Sequence, residues 1–253
     1  MPIKIIYNES RSDGAGVACN WTVPAGVTKV KFEMWGGGGA AAGYAGACDC
    51  CDTSSPGGGG GYATGYFDVT PGDEYAVCAG NAGVPINANC CNGGVGGNSS
   101  VTGPSISGAF CARGGCGGCG AFTFWCYQHC GCNHMYQATN AGACVPADTE
   151  GCLTSPGGSG RTGRVGSGNP SIQNVGGPAG GPFGGEGGMS LRNIGYQELS
   201  ICQETANTNS WCNHILNGKI PGGGGAGYTP GCCICVPCGL PGAGGPGLVK
   251  ITY

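Results

Sequence analysis

Hydrophobic and polar positions alternate most cleanly over residues 27–35, where Val30, Phe32 and Met34 share one face and Lys29, Lys31 and Glu33 the other. A period of two predicts a half-buried β-strand. Pro24-Ala25-Gly26 ahead of it is a turn signal, and the glycines from Gly36 onward end it. The alternation returns over residues 62–69, with Ala63, Phe67 and Val69 on one face. Thr70-Pro71-Gly72-Asp73 then places proline second and glycine third in a four-residue turn, the type II preference, and residues 75–79 read as the returning strand of a β-hairpin. Shorter strands are predicted at 3–7, 99–102 and 105–113, and residues 248–253 close the chain with Val249 and Ile251 on one face. The two chain ends are expected to pair or neighbour each other in one sheet or sandwich.

Between about 114 and 245 the periodicity fades. A Gly-Gly-Cys-Gly-Gly-Cys-Gly run leads into an island rich in aromatic and cysteine residues at 122–136, followed by Gly and Ser runs to about 188. Residues 191–216, rich in Gln, Glu, Asn and Ala, carry a weak helical reading. No boundary splits the chain. The expectation is a single all-β domain over 1–253: a jelly-roll-like β-sandwich framework at about 1–113 and 246–253, with a long glycine- and cysteine-rich excursion at about 114–245.

Glycine sharpens that picture, because 59 of the 253 residues are glycine and they cluster at 36–39, 57–61 and 222–225. There is no strict third-residue period, which excludes collagen, and 10 Tyr, 6 Phe, 4 Trp and 21 Cys argue against disorder. An ordered glycine run has one regular option, the polyproline-II form with three residues per turn, in which neighbouring segments exchange backbone hydrogen bonds. Tight turns and loops are the alternative reading, and the sequence leaves both open.

Charge is sparse: 10 Lys and Arg against 13 Asp and Glu, a formal net charge of −3, with basic residues scattered from Lys4 to Lys250. That pattern excludes nucleic-acid binding through phosphate neutralisation. No apolar run approaches the 18 or so residues of a membrane span, so no membrane insertion is expected, and the apolar stretch at 3–7 is too short for a signal-peptide core. An extracellular destination is therefore expected by another route: assembly in a reducing cytoplasm, release, and later oxidation of the thiols.

Cysteine at this density reads as a disulfide scaffold, and the odd count leaves at least one thiol over. The candidates are Cys48, Cys50, Cys51, Cys90, Cys91, Cys116, Cys119, Cys126, Cys130, Cys132, Cys232, Cys233, Cys235 and Cys238. Bridging adjacent cysteines strains the ring, so each member of a Cys-Cys pair is expected to reach a different segment. Cys126, Cys130, Cys132 and His134 could supply four zinc ligands from one short stretch, but their spacing departs from paired Cys-x2-Cys and disulfides are favoured there. Cys235-x2-Cys238 lacks the βαβ context of a redox motif. The three histidines, His129, His134 and His214, fall in no nucleophile–base pattern. No enzymatic activity and no cofactor are expected.

Aromatic residues among glycines can offer flat faces to sugar rings or protein loops. Tyr44, Trp125, Tyr127 and Trp211 are the candidate receptor or partner contacts, while Trp35 and Trp125 also read as plugs beneath the loops.

Several segments, taken in order, carry a resemblance: Thr22-Val-Pro-Ala-Gly-Val-Thr28, Met34-Trp35 with Gly36 to Gly39, Gly57 to Tyr62, Val69-Thr-Pro-Gly-Asp-Glu-Tyr75 with Gly80, Gly97-Asn-Ser-Ser-Val101, and Gly245-Pro-Gly-Leu-Val-Lys-Ile-Thr-Tyr253. This set resembles the glycine-rich β-sandwich domain of bacteriophage tail-fibre and receptor-binding proteins, over almost the whole chain. The resemblance implies a virion structural protein whose β-framework presents glycine-rich loops outward, in some relatives as stacked polyglycine helices with receptor-binding loops at the tip. It implies a virion-surface location, other virion structural proteins and a host surface glycan or protein as partners, and a homo-oligomer on a symmetric particle. A disulfide-stabilised capsid or tail decoration protein is the alternative.

Overall fold

Alternation decides the sheets. The structure, a computed structural model, describes residues 2–7, 17–42, 55–86, 92–118, 143–144, 150–164, 172–191, 217–226 and 242–253. The strands are β1 (Ile3–Tyr7), β2 (Val17–Thr22), β3 (Lys29–Trp35), β4 (Tyr62–Asp68), β5 (Glu74–Ala79), β6 (Ser99–Thr102), β7 (Phe110–Ala112), β8 (Ala143–Cys144), β9 (Glu150–Ser155), β10 (Arg161–Arg164), β11 (Ile172–Val175), β12 (Met189–Leu191) and β13 (Leu248–Thr252). Among the described residues there is no helix, and every strand pairing is antiparallel. One five-stranded sheet has the order β1-β13-β3-β4-β9 and a second the order β2-β5-β6-β7-β8; neither closes into a barrel. Strands β10, β11 and β12 form a smaller third sheet.

The chain ends meet as the alternation implies: β13 lies between β1 and β3, with Ile6 opposite Val249 and Ile251 opposite Phe32. One hydrophobic cluster joins the two large sheets. Val30, Phe32, Met34, Phe67, Val249 and Ile251 come from the first, and Trp21, Tyr75, Val77, Val101 and Phe110 from the second. Phe32 is completely buried and meets Trp21 edge-on, with ring centroids 6.0 Å apart, while Phe67 and Phe110 lie 5.1 Å apart. Burying a side chain of this size stabilises by roughly 1.5–3 kcal/mol, so these rings are the main cement between the sheets.

The expected hairpin across residues 62–79 does not form. Its turn does: Gly72 has φ +91° and the Asp73 amide donates to the Thr70 carbonyl at 3.1 Å. Strand β4 pairs with β3 and β9, however, and β5 pairs with β2 and β6. The link from β4 to β5 crosses between sheets beside the equivalent link from β2 to β3. Val69 N donates to Thr28 O at 2.9 Å, Gly72 N to Val23 O at 3.0 Å, and Val23 N to Asp73 O at 2.9 Å. A two-stranded ribbon therefore folds over at this corner, and the turn chemistry alone could not distinguish that from a hairpin.

Other expectations change too. The strand foreseen at 105–113 shrinks to β7, because Gly108 at φ +96° bends the chain before Phe110. The second sheet runs as a meander from β5 to β8, unlike the interleaved Greek keys of a jelly roll. The excursion at 114–245 is not outside the framework, since β9 adds an edge to the first sheet. Of the helical reading at 191–216 only Leu191 is described, and it ends β12; residues 192–216 lie outside the described residues.

Candidate functional site

Strand β3 runs directly into residues 36–42, whose amides donate in rotation. Gly36 donates to Gly61 at 2.9 Å, Gly37 to Gly97 at 2.9 Å and Gly38 to Gly245 at 2.8 Å. The cycle then repeats: Gly39 to Gly58 at 2.8 Å, Ala40 to Gly94 at 2.9 Å, Ala41 to Gly242 at 2.9 Å, and Ala42 returns to Ser55 at 2.9 Å. Each neighbour is met every third residue, the repeat of the polyproline-II helix. The carbonyls rotate in step, with Gly37 accepting from Gly115 at 2.8 Å, Gly38 from Gly83 at 2.8 Å, Gly39 from Gly225 at 2.9 Å and Ala40 from Gly118 at 2.8 Å. Residues 36–42 are thus ringed by 55–61, 93–97, 242–247, 113–118, 81–84 and 222–226, and all seven are buried.

Residues 57–61 obey the same rule. Gly57 and Gly60 donate to Gly225 and Gly222, Gly58 and Gly61 to Cys116 and Arg113, and Gly59 to Gly158. The result is a bundle whose interior is backbone, with its amides satisfied by its own neighbours. One end of it is anchored in the sheets. There the Ser99 hydroxyl donates to Trp35 O at 2.6 Å and accepts from Gly80 N at 2.9 Å, tying β6 to the points where β3 and β5 become glycine segments.

At the far end the segments close on one another. Ala42 bonds to Ser55, Gly93 N donates to Gly118 O at 2.8 Å, and Gly242 N to Ala226 O at 3.0 Å. From these points depart residues 43–54, 87–91, 119–142 and 227–241.

The outer face of the first sheet holds its main charge cluster. Glu33 is 8% exposed and receives Lys31 Nζ and Lys250 Nζ, each at 3.0 Å, while the Tyr62 hydroxyl donates to Glu33 Oε1 at 3.3 Å. Burial alone would push the Glu33 carboxyl up, but the two ammonium groups outweigh it and hold it below its usual value. Tyr62 is pushed up to about 12, chiefly by burial and further by the Glu33 charge. Trp35 plugs the space beside it, 3% exposed with its ring 4.9 Å from that of Tyr62. It lies on the outer face of β3, apart from the cluster between the sheets.

A sequence profile of the glycine-rich domain matches residues 12–253. The chain belongs to the glycine-rich domain family. No curated relative matches it.

This glycine-rich domain places its sequence-predicted site residues unevenly. Cys116 is described, half-buried in the bundle, with its carbonyl accepting from Gly58 N at 2.9 Å. Tyr44, Cys48, Cys50 and Cys51 belong to 43–54; Cys90 and Cys91 to 87–91; Cys119, Trp125, Cys126, Tyr127, Cys130, Cys132 and His134 to 119–142. Cys232, Cys233, Cys235 and Cys238 belong to 227–241 and Trp211 to 192–216. All of these lie outside the described residues. Cys19, Cys78 and Cys152 form no disulfide. Burial pushes the Cys78 and Cys152 thiols up, and nearby Cys19 adds to the effect at Cys78. Sequence reasoning missed the Glu33–Lys31–Lys250 cluster, although the alternation that sends Lys31 and Glu33 to one face was its signal.

Proposed function

We propose that this glycine-rich domain is a non-enzymatic protein of a phage virion surface, a tail-fibre or fibre-tip component that presents recognition segments to the host. In this reading the facing sheets are a β-sandwich base, and the glycine segments are a polyglycine-II bundle standing on it. One observation carries the reading: at the bundle's far end Ala42, Gly118 and Ala226 are the last described residues before stretches rich in cysteine and aromatic residues, the one after Gly118 rejoining the second sheet at β8. A base at one end of the bundle and the departure points of cysteine- and aromatic-rich stretches at the other suit display. The bundle itself offers little but backbone, so recognition falls to those segments. Tyr44, Trp125 and Tyr127 would supply rigid aromatic faces for a host glycan or protein, and Trp211 a further one. The sheet end would face other virion proteins, with copies arranged by the symmetry of the particle. No catalytic residue and no cofactor enter this reading.

Immunogold labelling of purified virions with antibody to this chain tests it. Label at a fibre tip is expected, together with binding of the isolated protein to host cells. Label on the head or tail wall would replace attachment with a decoration role.

A further inference from the structure

The second large sheet aligns one row of small residues across all five strands. Ala18 faces Cys78, Cys78 faces Ser100, Ser100 faces Cys111, and Cys111 faces Cys144. Phe110 and Ala112, the neighbours of Cys111 on β7, both pack into the core between the sheets, so Cys111 stands on the opposite face, where it is 5% exposed. Neither Cys111 nor Cys144 stood out in the sequence, because 32 residues separate them and each is isolated from the Cys-rich clusters.

We propose that Cys111 and Cys144 are a disulfide-forming pair that staples β7 to β8. Residues directly opposite each other in an antiparallel ladder have Cα atoms about 4.5 or 5.5 Å apart, depending on which kind of pair they form. Both values fall within the range of about 4.4–6.8 Å that a disulfide accepts without backbone movement. The other cysteine in the row, Cys78, lies two strands from Cys111. At about 4.8 Å per strand it is beyond reach, so the register selects Cys144.

The chemistry needs an oxidant, and a low-molecular-weight disulfide such as oxidised glutathione supplies it. One cysteine thiolate attacks that disulfide, forming a mixed disulfide and expelling one small thiol. The second cysteine thiolate then displaces the other small thiol. The two cysteines together lose two electrons and two protons, and one small disulfide is reduced to two thiols. The bond would tie together the two roots of residues 112–143, the stretch that contains the aromatic and cysteine-rich island.

The full-length protein, equilibrated with oxidised glutathione, alkylated and digested with pepsin at low pH, should yield a peptide in which Cys111 is linked to Cys144 by mass spectrometry. Recovery of Cys111 as the alkylated thiol, or of either residue linked to a different cysteine, would overturn the proposal. A second measurement uses the double variant C111A/C144A. Closing a loop of this length raises the melting temperature by about 10 °C, so the oxidised variant should melt about that much below oxidised wild type and level with it once both are reduced. An oxidised variant that melts with oxidised wild type would also refute the staple.

Discussion

Replacing Gly38 by alanine probes the bundle where it is most enclosed. A Cβ on Gly38 would overlap the carbonyl of Gly223 and come to 2.7 Å from the carbonyl oxygen of Gly222. These are backbone atoms, so no flexible side chain can swing aside. Restoring ordinary contact moves residues 222–225 by about 1 Å or more, and that segment is held by tight bonds: Gly225 N to Gly39 O at 2.9 Å, Gly60 N to Gly222 O at 2.8 Å and Gly57 N to Gly225 O at 2.8 Å. Losing two such bonds in a water-free interior costs about 1–3 kcal/mol each. Alanine returns only about 0.4–1 kcal/mol by restricting the unfolded chain. The net expectation is a loss of about 1–5 kcal/mol, or a melting temperature lower by roughly 3–15 °C in a chain of this size. Ala41→Gly is the control, since the Ala41 methyl is already accommodated at 0% exposure and its removal should cost about 1 kcal/mol. Thermal unfolding of both variants, with hydrogen exchange read over 36–42 and 222–226, makes the comparison. A Gly38→Ala protein that melts within about 2 °C of wild type, with unchanged amide protection, would refute the claim that these segments pack backbone against backbone.

Ser99→Ala should lose about 2 kcal/mol in denaturant titrations, because the Gly80 amide and the Trp35 carbonyl are left buried without the hydroxyl between them. Exchange of the Gly80 amide should quicken selectively, and uniform quickening would point to a general loss of packing instead. Glu33 makes stability pH-dependent with a definite sign. Its folded value lies below 4.5, so its contribution is complete above the unfolded value and disappears as pH falls through the folded one. Wild type should therefore lose, below about pH 4.5, an acid-sensitive increment of stability that Glu33→Gln lacks, while Glu33→Gln is roughly 2 kcal/mol less stable at neutral pH. Parallel pH profiles for the two proteins would remove Glu33 from that role.

Much of the sheet framework is legible in the chain because burial on one face imposes a period of two. Val30, Phe32 and Met34 announce β3, and Val249 and Ile251 announce β13, whose pairing with β1 meets the expectation for the chain ends. The same rule would have found β2, where Val17, Cys19, Trp21 and Val23 alternate with Ala18, Asn20 and Thr22; the polar and cysteine content masked it. The crossing between β4 and β5 was not legible. A type II turn has the same local sequence whether its arms pair together or join different sheets, and only the contacts of Val69 and Gly72 with the β2–β3 link decide. Nor could glycine composition alone choose between loops and a bundle, since consecutive amides of one segment bond to three different segments far apart in sequence. Of the site residues, only Cys116 falls where its surroundings are described.

The three-residue rotation of hydrogen bonds has a consequence for folding. A glycine segment that slides along its neighbours by one full turn meets the same set of partners again, and only its few side chains register the error, as where the shift would carry the Ala41 methyl into the slot of Gly38. The bundle is therefore degenerate in phase: a shifted stack satisfies its interior amides nearly as well as the native one. What also distinguishes them is where β3, β4 and β13 deliver the chain, because a displaced segment would drag Phe32, Phe67 or Val249 out of the core. The sheets act as the index mark that sets every segment's position. Mutations that weaken the core should accordingly yield mis-indexed, compact molecules before they yield unfolded ones.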